Sequence, residues 1–386
     1  MYAIAHNMKY KIMNEWLNME KISRNQLFCL IMMGQIGSTN LWALGIEAKR
    51  DAWIVDIIST IAGMGLVWLY TSIYSKYPEK NIVGITQSIL GKTLGWPLGF
   101  IYFMIYTFNA TRTTSEFADL INVTFLQDTP NLVIQIIFYV AIIYVLFLGI
   151  ETLGRIAEII FPIVIFLIIS IYIMIIASGQ INLKELFPVF EEGYKPILKA
   201  FYPIGINFPF GLVLVFFQFW KYNGSVKIVK KTTYWALALT GVNLTISLII
   251  MVSSLGPNYT STATIPFLEV IKLITIGDII TNLDAIGVIL VFMGGFYLTI
   301  LFYYSAVLIF AELFHIKDYR WVLVPLAVFI MWYTQVYEPN YPFHVKYLVP
   351  QYWQQWVPVS NIVPLLLLLI FYLKKYCNKE LNIQNK

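Results

Sequence analysis

The sequence predicts an all-α integral membrane protein of ten transmembrane helices in two inverted sets of five, with helices 1 and 6 broken. Three observations carry this. First, the 386 residues are 59% hydrophobic and 12% charged, whereas soluble domains are roughly half apolar and about a quarter charged. Second, the chain contains ten apolar stretches of the kind that cross roughly 30 Å of hydrocarbon as a helix. Third, the first and sixth stretches are interrupted by glycine and proline at matching places in the two halves. Backbone groups freed at membrane depth persist mainly where protein or a water-filled cavity satisfies them, and a matched pair of broken spans points to a substrate site in a transporter-like fold.

In chain order the spans fall near 27–46, 52–74, 96–119, 131–150, 156–177, 200–220, 233–254, 280–313, 321–338 and 357–373. The first is broken by GQIGSTN over 34–40, and the sixth by Pro203, Gly205, Asn207, Pro209 and Gly211. Gly91, Gly95 and Gly99 recur every fourth residue, which suits close packing of the third span against a neighbour. The eighth is too long for one straight crossing and is expected to tilt or extend beyond the bilayer. The longest loops, 178–199, 256–278 and 338–356, are expected outside. Within the second, Phe267, Ile271 and Ile274 share one face of a short helix suited to the membrane interface. The last carries Tyr337, Tyr341, Tyr347, Tyr352, Trp353 and Trp356, as expected of aromatics at the water boundary.

Short connections leave no room for an inserted soluble module. Residues 1–20 read as a cytoplasmic segment, 21–375 as a single membrane domain and 376–386 as a cytoplasmic tail. Met19-Glu20-Lys21-Ile22-Ser23 resembles a natural start, which makes 1–18 a candidate start-site extension. Orientation follows from basic residues in the loops. Of 26 Lys and Arg, Lys49, Arg50, Lys184, Lys195, Lys199, Lys272 and Lys346 would lie outside and Arg112 within a span. The other eighteen collect on one side, so both termini are expected in the cytoplasm. The net charge of +5 is thus a topology signal and does not imply nucleic acid. Cys29 and Cys377 offer neither a disulfide framework nor a metal site. His6, His315 and His344 are scattered, and there is no nucleophile elbow or phosphate-cradling loop. No enzyme chemistry, cofactor or metal is expected.

The break over 34–40 would expose N–H groups at the start of the outer half-helix, whose positive dipole end suits a carboxylate. Gly34 and Gly37 would bind through backbone, with Ser38 and Thr39 supplying hydroxyls. Phe208, Phe210 and Gly211 of the sixth span would add an aromatic wall and free carbonyls. Tyr106, Asn109, Ala110 and Thr113 share a face of the third span at similar depth, as do Gly294, Gly295, Thr299 and Tyr303 of the eighth. Interhelical packing is the competing explanation for each of these.

Arg112 and Glu116 lie four apart in the outer half of the third span. Charges in hydrocarbon cost roughly 2.5–3.5 kcal/mol each on insertion scales, so they pair or line an aqueous path. Asp284 is a further candidate partner for Arg112, and the group would serve as an outer gate or a stabilising clamp. Glu151, Arg155 and Glu158 suggest a similar cluster at the inner mouth of the fifth span. The mid-membrane region otherwise reads as almost free of acids, which favours ligand sensing over ion-coupled transport.

Taken in order, Ile22-Ser23 and Gln26-Leu27-Phe28 lead into Gln35-Ile36-Gly37-Ser38. Arg112 and Glu116 are followed by Leu126 and Thr129-Pro130, then by Arg155, Glu158 and Pro162. Phe208-Pro209-Phe210-Gly211, Pro266 with Leu268-Glu269, and Leu283-Asp284 complete the series. From about Lys21 to Lys375 the chain thereby resembles the endospore germination permease family, the B subunits of spore germinant receptors, a branch of the amino acid–polyamine–organocation superfamily. The resemblance implies a leucine-transporter-like fold in the spore inner membrane. It also implies a small germinant, typically an amino acid, as ligand, and A-type and lipoprotein C-type subunits as partners. Leu212 and Asn282 depart from the family pattern, each removing a charge. A secondary amino acid transporter of the same fold and a ligand-gated ion conduit remain the alternatives.

Overall fold

The computed structural model describes residues 21–37, 39–124, 126, 128–274, 284–337 and 356–384, and among these there is no β-strand. Ser23 caps the first helix, α1 (Arg24–Ile36), in a reciprocal capping box with Gln26, which satisfies two otherwise orphaned N–H groups. Gly37 keeps helical dihedrals, and the chain then runs through 3₁₀ turns at Thr39–Leu41 and Ile46–Asp51. The first break therefore follows Gly37. Gly34 lies inside α1, a correction to the expected interruption, because a glycine within a helical run costs only about 1 kcal/mol and does not by itself end the helix.

Next come α2 (Ala52–Tyr74), α3 (Ile82–Leu90), α4 (Lys92–Thr124), α5 (Asn131–Phe147) and α6 (Ile150–Ala177). The short helix α3 was not expected. Its apolar face is buried, and it packs on the start of α4 through two of the three spaced glycines. A Cβ on Gly95 would come within 2.5 Å of the Gln87 backbone, and one on Gly99 within 3.3 Å of Val83. Gly91 instead turns the chain between the two helices at φ +79°, a conformation open chiefly to glycine.

The second half opens with α7 (Lys195–Ala200), a π turn at Phe201–Gly205, and a 3₁₀ stretch, Phe210–Gln218, every residue of which is buried. The sixth segment is thus irregular over its whole middle. Then follow α8 (Val226–Leu255), α9 (Pro257–Thr262), α10 (Pro266–Lys272), α11 (Asp284–Leu313), α12 (Arg320–Tyr337), a π turn at Pro358–Ile362, and α13 (Val363–Gln384). In α10 and just beyond it, Phe267, Ile271 and Ile274 are all buried in the protein core, a correction to the expected interfacial helix, whose apolar face would have been turned to lipid. Residues 275–283 and 338–355 lie outside the described residues, and with them Asn282, Tyr341, Tyr347, Tyr352 and Trp353.

Among the described residues, five helices are long and apolar enough to cross a membrane: Ile46–Tyr74, Ile150–Ala177, Val226–Leu255, Phe292–Leu313 and Pro358–Cys377. Ile61, Ile137, Ile159, Phe166, Ile173 and Trp321 point outward and are exposed, as a lipid-facing surface requires. Inside, α4 packs along α11, and α1 along α6 and α8, with α2 on the other side of α8. The two broken segments are tied at their ends: Ile22 N donates to Tyr222 O at 3.1 Å, and Asn223 Nδ2 to Ile22 O at 3.0 Å.

Candidate functional site

The first break, α4 and α11 come together around Trp42, Thr113 and Gly295, α11 also packs on the irregular sixth segment, and the contacts are tight. A Cβ on Gly37 would lie 2.3 Å from Gly294 Cα, and one on Gly34 would lie 2.5 Å from Leu301 Cδ1. Both glycines are consumed by the approach of α1 to α11, so neither offers an open backbone surface to a ligand in this conformation. Thr39 Oγ1 donates to Gln35 O and is likewise engaged. Ser38 lies outside the described residues.

On α4, Tyr106, Asn109, Ala110 and Thr113 are all buried. Tyr106 is buried with its ring 6.1 Å from Phe302 and 5.9 Å from Trp356. Thr113 donates to Asn109 O at 2.9 Å, and Asn109 Nδ2 donates to Ile105 O at 2.7 Å. Asn109 Oδ1 has no hydrogen-bond partner among the described residues, and neither does Thr299 Oγ1 on α11. Both side chains are fully buried. Orphaned buried polar atoms are uncommon and call for a reason. Tyr303 does not join them, a correction to the expected set. Its hydroxyl donates to Leu323 O and its ring packs edge-on at 5.2 Å against Tyr139, so it belongs to the packing with α5 and α12.

In the sixth segment Phe210 is fully buried against α2, where a Cβ on Gly63 would reach within 2.6 Å of it. Phe208 is also buried. Beside Gly211, a Cβ would meet Asn207 Oδ1 at 3.2 Å and Trp356 Nε1 at 3.4 Å. Here the structure adds residues that sequence reasoning missed. Asn207 Oδ1 accepts from Ser360 Oγ at 2.9 Å and from Asn361 Nδ2 at 3.1 Å, and Tyr70 donates to Ser360 O at 2.8 Å. The turn before α13 thus plugs the irregular sixth segment. Trp356, expected at the water boundary, is fully buried between Tyr106 and Phe302. Gln218 is equally hidden, and neither of its amide atoms has a partner among the described residues.

Arg112 Nη1 donates to Glu116 Oε2 at 2.9 Å, with both side chains largely buried. This is the pairing that the i,i+4 spacing predicts. The Asp284 side chain lies outside the described residues. Farther out, the turn after the first break is clasped to the loop after α6. Asp51 accepts from Phe190 N with both oxygens at 3.1 and 3.0 Å, Lys49 pairs with Glu192 at 2.7 Å, and Arg50 pairs with Glu191 at 3.3 Å. Toward the other end, Glu151 and Arg155 pair at 2.5 Å, well exposed.

A cavity of about 20 Å³ lies among Trp42, Thr113, Glu116, Gly295 and Leu298, room for roughly one water. Larger cavities lie elsewhere. One of about 670 Å³ is an apolar groove of α4, α11 and α12, and one of about 600 Å³ is a polar vestibule around Glu79, Lys221, Glu312 and His315. The second opens at the end of the sixth segment. No group of three His, Cys, Asp or Glu side chains able to hold a metal occurs among the described residues. One acid not singled out from the sequence is hidden: Asp56, one turn into α2, is buried.

Residues 21–342 match the family model described as Spore germination protein. Spore germination protein KB of Bacillus subtilis (strain 168) is 29% identical over 358 residues, covering 92% of this chain and 95% of that one. Among solved structures, Mhp1, a nucleobase-cation-symport-1 family transporter in a closed conformation with bromovinylhydantoin bound, superposes with a TM-score of 0.62. Its identity is 13%, and the match covers 90% of this chain and 78% of that one. MhsT in complex with L-phenylalanine gives 0.56 at 14% identity, covering 92% and 99%. The likeness to both is one of fold.

Proposed function

This chain belongs to the spore germination protein family, and from that premise we propose that it is the germinant-sensing B subunit of a spore germinant receptor. It is a multi-pass membrane protein; in our reading it has ten spans in a leucine-transporter-like 5+5 inverted repeat, with both termini cytoplasmic in the spore inner membrane. A small germinant, an amino acid or a solute of similar size, binds where the two broken spans meet α4 and α11. A-type and lipoprotein C-type subunits read the resulting conformational change. A ligand can drive such a change only through differential affinity for two states.

The observation that carries this reading is the pair of buried polar atoms without partners, Asn109 Oδ1 and Thr299 Oγ1, on the two helices that flank the breaks. Gly34 and Gly37 pack against α11 without a gap, so a ligand entering between the first break and α11 would have to separate α1 from α11. That cost is met only in a second, opened state, which is what a sensor requires.

Secondary transport of the same ligand is the second reading, favoured by one observation: the buried carboxylate of Asp56 supplies a candidate coupling group. Deletion in spores and reconstitution in liposomes separate the two. Under the sensor reading, deletion abolishes germination by one class of germinant and leaves others intact. The purified chain then shows little concentrative uptake from an amino acid panel under a proton or sodium gradient. Strong gradient-driven accumulation by the chain alone would establish the transporter.

A further inference from the structure

Asp56 stands one turn into α2 and is 4% exposed. Its Oδ2 accepts from Thr245 Oγ1 of α8 at 2.6 Å, and it forms no ion pair among the described residues. A carboxylate removed from water without a positive companion is strongly disfavoured. One hydroxyl donor occupies only part of its acceptor capacity.

The surroundings supply oxygen and no fixed cation. Ser59 follows three residues later on the same helix face. It is 1% exposed, and its Oγ has no partner among the described residues. That Oγ lies against the irregular sixth segment, since a Cβ on Gly205 would come within 2.5 Å of it and within 3.2 Å of the Ala200 carbonyl oxygen. Thr60 donates back to the Asp56 carbonyl at 2.9 Å and meets Gly241 of α8. The charged groups on the neighbouring elements are engaged or remote. Lys49 and Arg50 pair with Glu192 and Glu191, and Asp51 accepts from Phe190 N. Glu47 is exposed beside them, as are Lys195 and Lys199 of α7, while Lys227, Lys230 and Lys231 occupy the opposite end of α8.

We propose that Asp56, with the hydroxyls of Thr245 and Ser59, binds a single monovalent cation, a proton or a sodium ion, and couples its occupancy to the sixth segment through the Ser59–Gly205 contact. The donors are a carboxylate and hydroxyls, hard oxygens that suit a proton or an alkali cation and not a soft metal. Occupancy neutralises the carboxylate and lets α2 hold its place against Gly205 and Phe210. This inference does not depend on the germinant-sensing role.

The test is the thermal midpoint of the full-length chain in lipid nanodiscs. One series varies sodium chloride against choline chloride at fixed pH; a second varies pH in choline alone. A saturable sodium-dependent rise in wild type that is lost in Asp56→Asn identifies sodium. A sodium-independent pH step that is lost in Asp56→Asn identifies the proton. Thr245→Val, which keeps the carboxylate, weakens the apparent affinity for sodium on the order of tenfold; if the proton responds, it moves the pH step to higher pH, because the charged carboxylate loses the hydrogen bond from Thr245. Superposable wild-type and Asp56→Asn curves in both series overturn the proposal. Should Asp56→Asn fail to fold, Thr245→Val and Ser59→Ala carry the comparison, and wild-type curves for both overturn it equally.

Discussion

Gly37 and Gly294 touch backbone to backbone: a Cβ on Gly294 would lie 1.9 Å from the carbonyl carbon of Gly37. No side chain fits at either position without parting α1 from α11. The contact fixes how closely the first break approaches the helix that carries Thr299, and so sets the dimensions of the candidate site.

Gly294→Ala is therefore expected to lower stability by about 1–3 kcal/mol, the usual cost of overpacking, and Gly37→Val by more. Gly65→Ala in α2 is the control, since its Cβ meets nothing within 4 Å; replacing a mid-helix glycine there should stabilise by about 0.5–1 kcal/mol. Thermal midpoints of the three purified variants check the order. Equal behaviour of Gly294→Ala and Gly65→Ala would show that the contact is not tight.

Arg112 and Glu116 are paired at 2.9 Å and mostly hidden from solvent. Removing the arginine alone takes from Glu116 the cation it pairs with, so Arg112→Ala should harm folding more than Arg112→Ala combined with Glu116→Ala. A double-mutant cycle on stability should return a coupling of about 0.5–3 kcal/mol. Strict additivity would mean that the two charges are compensated separately.

Asp51 and Lys49 bind the same loop after α6 by different means. Asp51 is buried and accepts from Phe190 N with both oxygens, whereas the Lys49–Glu192 pair is about half exposed on each side. Asp51→Ala leaves the Phe190 N–H without its acceptor and should cost about 1–3 kcal/mol, while Lys49→Ala should cost under about 1 kcal/mol. Hydrogen exchange over 183–192 reads the difference: faster exchange is expected in Asp51→Ala, with little change in Lys49→Ala.

What the chain reveals without coordinates follows from how each feature is encoded. Long apolar runs bounded by polar loops locate α2, α6 and α8 well, because a membrane helix must be apolar along most of its length. The helix α3 escapes notice because it is too short to span. The first break is legible but shifted, since glycines at 34 and 37 serve the approach of α11 as well as the end of α1. Tyr303 shares the spacing of Thr299 yet turns to Tyr139. Gly295 and Phe302 pack on Phe117 and Tyr106 of α4, whereas Phe296 and Tyr303, seven apart, share the stripe toward Phe138 and Tyr139. Trp356 sits in an aromatic-rich loop that resembles a boundary belt, and only tertiary packing draws it inward. Asp56 is a lone acid near the end of an apolar run, where nothing local distinguishes a buried carboxylate from a loop-edge one.

A germinant that uses the buried polar atoms Asn109 Oδ1 of α4 and Thr299 Oγ1 of α11 must be sensitive to Thr299→Val. The hydroxyl it removes has no partner among the described residues, so the folded chain should lose no stability. A ligand that uses the hydroxyl should lose a hydrogen bond, on the order of tenfold in affinity. In spores carrying Thr299→Val at wild-type abundance, the half-maximal concentration for one class of germinant should rise by that order while other classes respond as before. An unchanged dose response at equal abundance would contradict the assignment.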